Sequence, residues 1–577
     1  MSESEPERST ERDAEETLPT GASSVVAALE NAGVEAAFGV QGGAIMPIYD
    51  ALYQSDIEHV TMAHEQGAAH AADAYGAVTG KPGVCLATSG PGATNLVTGI
   101  ADATMDSEPL LALTGQVATD MVGNDAFQEA DTTGITRPVT KASYFASDPD
   151  TVGDTVGEAF ELARKGRQGP TLVDLPKDVS NAEDVARPGP AAGPETQVVP
   201  DEADPEAVTR AATALANAER PVILAGGGVI KGNASEELRQ FAIDHGVPVV
   251  TTMPGVGAFD ETHELAMEMA GMHGTGYANM AVTHCDVMLA VGTRFDDRLT
   301  GGVDTFAPEA EIAHVDIDAS EISKNVHADY PLVGDASTVL RQLDEALARS
   351  PDTDAWRDQC THWETEYPMD YDAPEDEPLK PQFVVEAFDE ATDADTIVTT
   401  GVGQHQMWAV QYWTFTEPRT WISSHGLGTM GYGLPAAIGA KVAAPEKEVV
   451  CFDGDGSFLM TSQGLSVAVR EDLDITVCIL NNEAVGMVRQ WQDAFFEGRR
   501  MASEYPWGPD FATLADAFGA KGFTLDAYDD VADTIAAARD YDGPSVIDCH
   551  IDPREDVYPM VASGGANGLF ALQEEHL

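Results

Sequence analysis

Short apolar runs alternate with helix-length amphipathic stretches over most of this chain, and the alternation is interrupted twice. Gly21 to Ala32 reads as a helix closed by Gly33, and the apolar runs after it predict strands ending at Val40, Ala63, Thr88 and Thr114. Strands separated by helices of ten or more residues predict a parallel sheet with right-handed crossovers, with ligands beyond the carboxyl ends of the strands. A Pro/Gly/Ala stretch, ARPGPAAGPETQVVP, breaks the pattern at 186–200, and PVILAGGG opens a second alternating block. An acidic, proline-containing stretch then precedes a third block that starts at Phe383. The expected organisation is an acidic tail over 1–18, a first domain over 19–185, a linker over 186–200 and a second domain over 201–345. A linker over 346–380, a third domain over 381–555 and a polar C-terminal tail over 556–577 complete it. The fold class is α/β, with three doubly wound parallel-sheet domains in series. The first and third blocks are alike in size and style, but no sequence repeat relates them.

Charge changes the picture of the surroundings. The 97 acidic residues against 31 basic ones give a net charge of -66, spread along the chain, which repels nucleic acid and anionic lipid. A body this acidic repels itself until salt screens it, which at about 1 M happens over roughly 3 Å. A salt-rich cytoplasm is the expected compartment. The 43% hydrophobic content excludes a disordered acidic protein for all but the first stretch. Six cysteines, at 85, 285, 360, 451, 478 and 549, lack paired spacing for zinc or disulfides and read as buried thiols. The polar N-terminus, with no apolar run behind it, carries no signal for secretion, and no run is long enough for a membrane span.

Candidate chemistry appears first in the third block. EVVCF runs into DGDGS, a helical stretch follows, and the strand ITVCIL ends in Asn481 and Asn482. If the two strands are parallel neighbours, Asp455 and Asn482 emerge at one carboxyl edge and offer a carboxylate and an amide oxygen to a hard cation, best Mg²⁺ with a diphosphate. Gly454 and Gly456 let backbone N–H groups approach phosphate oxygens, and the helix after Ser457 points its positive end the same way. The GDG tripeptide alone marks only a tight turn; its distance from the NN pair gives it meaning.

GDG followed by about 25 residues and NN resembles the cofactor signature of the thiamine diphosphate enzymes. The resemblance implies Asp455 and Asn482 as metal ligands, with a backbone oxygen at Ala484 as a third. Cofactor activation in that family needs a carboxylic acid on the pyrimidine ring, which shifts its tautomer so that it can take the thiazolium proton. Glu65, in HVTMAHEQGAAHAADAYG, follows an apolar strand and opens a small-residue helix suited to close packing against another subunit. It matches the family's activating glutamate.

FGVQGGAIMPIYDAL, AHEQGAAHAADAYG and CLATSGPGATNLVTGIADATMDSEPLLALTGQV resemble the acetolactate synthase large catalytic subunits, segment by segment, and the likeness covers nearly residues 20–570. It implies a homodimer or tetramer, in which one subunit's first domain and its partner's third domain share each thiamine diphosphate. In GVGQHQMW it implies cofactor contacts at Val402, Gly403, Gln404 and His405. In SHGLGTMGYGLPAA it implies Gly428, and Met430 as a wedge under a bent cofactor. Gly456, Ser457 and Met487 complete the cofactor set. The likeness assigns substrate contacts to Ala44, Phe127, Gln128, Lys177, Arg298, Val488 and Trp491. Arg298 would pair with the acceptor carboxylate, and Trp491, read as an exposed-loop residue, would select the acceptor's alkyl group. It further implies FAD, which takes no net part in the reaction, at Gly226, Gly227, Gly228, Met272, His273, Arg294, Asp316 and Asp335. The chain departs from the family's usual text at Gln41, where proline is common, and at Ala118, Thr119 and Asp120, where a proline and two arginines are common.

The activity implied is condensation of pyruvate with a second pyruvate or with 2-oxobutyrate. A pyruvate oxidase or another 2-oxo acid decarboxylase would share Glu65 and the metal clamp, and a non-catalytic subunit would lack them. A small regulatory subunit is a further expected partner.

Overall fold

The computed structural model describes residues 19–191, 200–374 and 377–573. The acidic tail and most of the 186–200 linker lie outside the described residues. The helix read from Gly21 spans Gly21–Asn31, capped by Thr20, with Gly33 left-handed just beyond it.

Among the described residues, eighteen strands form three six-stranded, wholly parallel sheets. The first contains β1 (Ala36–Gly39), β2 (Glu58–Thr61), β3 (Gly83–Ala87), β4 (Leu110–Gln116), β5 (Ala142–Phe145) and β6 (Thr171–Pro176), ordered β2-β1-β3-β4-β6-β5. The second contains β7 (Pro221–Ala225), β8 (Val249–Thr251), β9 (Ala266–Met269), β10 (Val287–Val291), β11 (Glu311–Asp316) and β12 (Tyr330–Val333), ordered β12-β11-β10-β7-β8-β9. The third contains β13 (Ile397–Thr400), β14 (Trp421–Ser423), β15 (Val449–Gly454), β16 (Thr476–Asn481), β17 (Lys521–Leu525) and β18 (Ser545–His550), ordered β14-β13-β15-β16-β18-β17. Strands β3, β4, β15 and β16 are buried throughout, as helices on both faces require. The four early strands end within about two residues of their sequence-read ends.

The small-residue helix Glu65–Thr79 packs within its own chain, against helix Gly433–Ala443 of the third domain. A Cβ on Gly439 would lie 2.0 Å from the Ala71 carbonyl oxygen, so only glycine permits this approach. Tyr432 donates to Asp73 at 2.8 Å across the same seam, and one apolar cluster runs through both domains.

The segment beyond 555 turns back over the second domain. Val557 and Gln490 exchange two hydrogen bonds of 3.0 Å, Val561 N–H donates to the Met272 carbonyl, and Asn567 donates to the Leu299 carbonyl. It thereby ties helix Gly486–Phe495 to the short helix Asp297–Thr300 that carries Arg298. All six cysteines are buried and free, and burial pushes the Cys85, Cys285 and Cys360 thiols up to about 12. No helix among the described residues is long and apolar enough to cross a membrane.

Candidate active site

Strands β15 and β16 are parallel neighbours with Gly454 opposite Leu480, so Asp455 and Asn482 leave the sheet side by side. Helix Asp455–Thr461 starts at Asp455, three residues before the start read from the sequence, after Ser457. Strand β13 lies on the other side of β15 and feeds Gly401–Gln404 into the same crevice, where the strand order reverses and loops diverge. A small cavity there is lined by Val402, Gly403, Gln404, His405, Met430, Asp455, Gly456, Ser457, Asn482, Ala484 and Met487, thus by eleven of the residues expected at the cofactor and metal. Gly428 is not in the lining, but its left-handed backbone (φ +72°) turns the loop that carries Met430.

Burial sets the electrostatics. Asp455 is 4% exposed, its Oδ1 has no hydrogen-bond partner, and desolvation pushes its carboxyl up to about 7. A buried carboxylate oxygen without a partner, beside the Asn482 amide and Ala484, suits a hard cation. Among the described residues no group of three His, Cys, Asp or Glu side chains is placed to hold a metal, and the expected ligand set requires only one. The Asn482 amide nitrogen donates to Gln404 Oε1 at 3.0 Å, and Gln404 donates to Gln490 at 2.9 Å, so the clamp is held from behind. His405 is held down to about 3 by burial and stands 3.4 Å from Asp453. A Cβ on Gly454 would meet the His405 ring at 2.7 Å, which explains the first glycine; Gly456 faces Tyr505 and Met430 at ordinary contact distance.

Glu65 opens helix Glu65–Thr79, with His64 as the N-cap. Its Oε2 accepts from Asn95 at 3.0 Å, and its Oε1 faces Gly92. The residues that line the Asp455 cavity, among those described, all belong to the third domain, so one chain does not bring Glu65 to it. Ala44, Phe127, Gln128 and Lys177 likewise stand at the carboxyl edge of the first sheet, with Phe127 86% exposed. Thr119 bonds Asp178, next to Lys177, through its amide at 2.9 Å and its hydroxyl at 2.5 Å. The run that departs from the family text is thus tied to the segment that carries Lys177.

Two of the residues expected at the acceptor, Arg298 and Trp491, do meet. Arg298 lies 5.6 Å from the Trp491 ring centroid, and Val488 is exposed one turn earlier. Trp491 corrects the expectation of an exposed loop: it sits half-buried on helix Gly486–Phe495, with Phe495 edge-on at 6.3 Å. Arg298 also approaches Asp297, at 3.4 Å.

The second sheet, ordered β9-β8-β7-β10-β11-β12, reverses between β7 and β10. A cavity of about 710 Å³ opens there, lined by Gly227, Gly228, Arg294, Asp316 and Asp335. Gly226 caps helix Gly227–Lys231 beside it, and a Cβ on Gly228 would meet Gly292 at 2.6 Å. Met272 and His273 are not in its lining; Met272 turns instead to Arg298, whose guanidinium reaches its sulfur at 3.9 Å. Sequence reasoning missed Arg164, Lys165, Arg167 and Lys231, which line the cavity, and Asn95 at Glu65. Packing between domains brings in Arg164, Lys165 and Arg167, which no local pattern marks, whereas Lys231 ends the helix that Gly226 caps and Asn95 belongs to the same domain as Glu65.

Three family models match the chain: the thiamine pyrophosphate enzyme N-terminal TPP binding domain over 19–135, the central domain over 208–343 and the C-terminal TPP binding domain over 401–549. The acetolactate synthase large subunit of Corynebacterium glutamicum is 47% identical, over 95% of this chain and 89% of that protein. The probable acetolactate synthase large subunit of Methanocaldococcus jannaschii is 47% identical, over 94% of each. The acetolactate synthase isozyme 2 large subunit of Escherichia coli is 44% identical, over 95% of this chain and 98% of that protein. The chain belongs to the thiamine pyrophosphate enzymes, as a member of their acetolactate synthase large-subunit family.

Proposed function

We propose that this chain joins two 2-oxo acids. It transfers the two-carbon unit left when pyruvate loses carbon dioxide to a second pyruvate, giving 2-acetolactate, or to 2-oxobutyrate, giving 2-aceto-2-hydroxybutyrate. This is the first common step of branched-chain amino-acid synthesis. Thiamine diphosphate, when bound, supplies the carbon nucleophile and the sink for the electron pair released with carbon dioxide.

The protein's part is positioning, charge and proton placement. The Asp455 carboxylate, the Asn482 amide oxygen and the Ala484 carbonyl would hold Mg²⁺ against the diphosphate, an all-oxygen set that suits a hard cation. Met430 packs beneath the cofactor. Glu65 holds a proton at the pyrimidine ring nitrogen, and the Asn95 hydrogen bond fixes its other oxygen. A second copy of the chain would bring its Glu65 to this cavity, so the active unit is a homodimer or an assembly of dimers. Arg298 takes the acceptor carboxylate while the Trp491 ring packs its alkyl group. The observation that carries this acceptor reading is the placement of Arg298 over Trp491.

FAD fits the 710 Å³ cavity at the reversal of the second sheet, whose lining carries Arg164, Lys165, Arg167, Lys231 and Arg294 together with the acidic Asp106, Asp201, Asp296, Asp316, Glu321 and Asp335. The relatives are named large subunits, and a separate small subunit is the partner proposed here. A salt-rich cytoplasm suits the acidic surface.

Purified protein supplied with pyruvate, Mg²⁺, thiamine diphosphate and FAD in high salt should form acetolactate, and added 2-oxobutyrate should compete as acceptor. Acetaldehyde, or oxygen-dependent acetyl phosphate, as the main product would instead identify a decarboxylase or an oxidase.

A further inference from the structure

The seam between the first and third domains holds two buried carboxylates that the reaction scheme does not use. Asp102 and Asp106 stand one turn apart on helix Val97–Asp106, and both face the 424–430 loop of the third domain. Asp102 Oδ1 accepts the Ser424 hydroxyl at 2.7 Å, and Ser424 Oγ accepts the Thr429 amide at 2.8 Å. Asp106 accepts the His425 and Gly426 amides on its two oxygens, at 2.8 and 2.6 Å. A Cβ on Gly426 would lie 2.9 Å from Asp106 Oδ1 and 3.0 Å from Met105 Cβ, so the loop is seated directly on this helix. The second Asp102 oxygen lies 3.5 Å from Nδ1 of the fully buried His70.

The loop has no regular structure between β14 and helix Gly433–Ala443, so its backbone amides need partners from elsewhere. Three of them, at His425, Gly426 and Thr429, are satisfied by Asp106 and by the Asp102–Ser424 pair. Bonds to ionised acceptors are the strong ones, and Asp106 is one: against desolvation, His425 and the His425 and Gly426 amides hold its carboxyl below the usual range, whereas burial at 1% exposure pushes the Asp102 carboxyl up. From these anchors the chain turns through left-handed Gly428 and Gly431 and presents Met430 to the Asp455 cavity.

We infer that Asp102 and Asp106 of the first domain are positioning residues for the cofactor, because through Ser424 and the loop amides they set where the third domain of the same chain holds Met430. This rests on the reading of the Asp455 cavity as the thiamine diphosphate site. The pairing gives the first domain a part in both halves of the assembly: Glu65 for one site, and the seat of the Met430 loop for the other.

Ser424→Ala removes the link and leaves both carboxylates in place; Asp106→Asn sets a donor against a backbone amide. Full-length variants are compared with the wild type in high salt by calorimetric titration of thiamine diphosphate with Mg²⁺, by hydrogen exchange of the 424–430 amides, and by thermal unfolding. Ser424→Ala should bind thiamine diphosphate about tenfold more weakly. Exchange should speed up at Thr429 while helix Gly433–Ala443 keeps its protection, and Ser424→Thr should restore both. Asp106→Asn should act at 425 and 426 with a larger loss of affinity. Unchanged affinity or exchange in folded Ser424→Ala overturns the inference, as does faster exchange spread over the whole seam, which marks a general packing role. If Asp106→Asn does not fold, Ser424→Ala and its threonine rescue decide alone. Failure of the wild type itself to bind thiamine diphosphate would remove the cofactor reading, while the exchange data would still report on the seat of the loop.

Discussion

The first and third sheets have one strand order between them, β2-β1-β3-β4-β6-β5 and β14-β13-β15-β16-β18-β17, and they put it to different uses. In both, the reversal lies between the first and third strands of the domain. In the third it opens the Asp455 cavity; in the first the domain's own loops fill it, with Gly42 packed on Thr88 and Gly90 on the Gln128 backbone. The parallel extends to single residues. Asp174 and Asp548 each stand fourth in the matching strands β6 and β18, and each accepts a hydrogen bond from the last side chain of the neighbouring strand, Gln116 or Asn481, at 2.9 Å. Asp548 also faces His550, which with the Asn481 and Phe511 donors outweighs desolvation and holds its carboxyl below the usual range; burial pushes Asp174 up to about 7. One topology thus carries the proposed cation ligands Asp455 and Asn482 in one copy and Glu65, the proposed proton-bearing acid, in the other, because loops and single side chains at the strand ends differ. The topology fixes where a ligand can sit, and the loops decide what it is.

The strongest way to break this division of labour is to disable each half separately. Asp455→Ala and Glu65→Gln should each lower acetolactate formation by about a thousandfold. Mixing the two inactive proteins after dissociation should restore about a quarter of the wild-type rate, since half of the dimers would be mixed and each would hold one intact site. No recovery in demonstrably mixed dimers would show that both half-sites come from one chain. Chelation of Mg²⁺ should release thiamine diphosphate from the wild type, measured by ultrafiltration.

A packing test comes next. Gly439→Ala places a methyl group where the Ala71 carbonyl stands, 2.0 Å from an ideal Cβ, and should cost about 3 kcal/mol of stability or force the seam apart. Unfolding in denaturant checks this, and a tolerated alanine would mean that the two domains are seated more loosely than described. A smaller effect is expected at the acceptor residues. Arg298→Ala should raise the KM for the acceptor about tenfold to a hundredfold, while the yield of carbon dioxide from the first pyruvate changes less.

The smallest effects are pH-dependent, and the matching carboxylates Asp548 and Asp174 are of opposite sign. The Asp548 carboxyl is lowered, so its contribution is present above the ordinary carboxylate pKa and is lost as pH falls through the folded value. Its partner His550 is raised to about 9, chiefly by Asp548, so that contribution is complete below about 6.5 and is lost as pH rises through 9. Asp174 is raised, so its contribution is complete below its unfolded pKa and is lost as pH rises through about 7. Asp174→Asn should flatten the decline in denaturant midpoint between about pH 4 and 7, and His550→Gln the decline between about 6.5 and 9. Profiles that remain parallel to the wild type would sever these residues from the comparison.

How far the sequence was legible follows from what each signal depends on. Strand–helix alternation and GDG–NN spacing are local, so β15, β16, Asp455 and Asn482 could be read directly, and the neighbouring strands needed only to be parallel. Met272 and His273 were assigned to the flavin by likeness, yet the 560s segment holds Met272 on the Arg298 side. Trp491 looked like a loop residue because the glycine, glutamate and arginine run after its helix obscured where the helix ended.

The sequence by itself determined three α/β blocks, a carboxylate and an amide side by side at two strand ends, an acid after another strand and a strongly acidic charge balance, since periodicity, spacing and charge are properties of neighbouring residues. Only the tertiary structure decided that the small-residue helix closes on its own chain, that the first and third sheets repeat one order without repeating a sequence, and that Asp102 and Asp106 seat the Met430 loop. Those facts depend on backbones 300 residues apart meeting within hydrogen-bond distance, for which no local pattern codes.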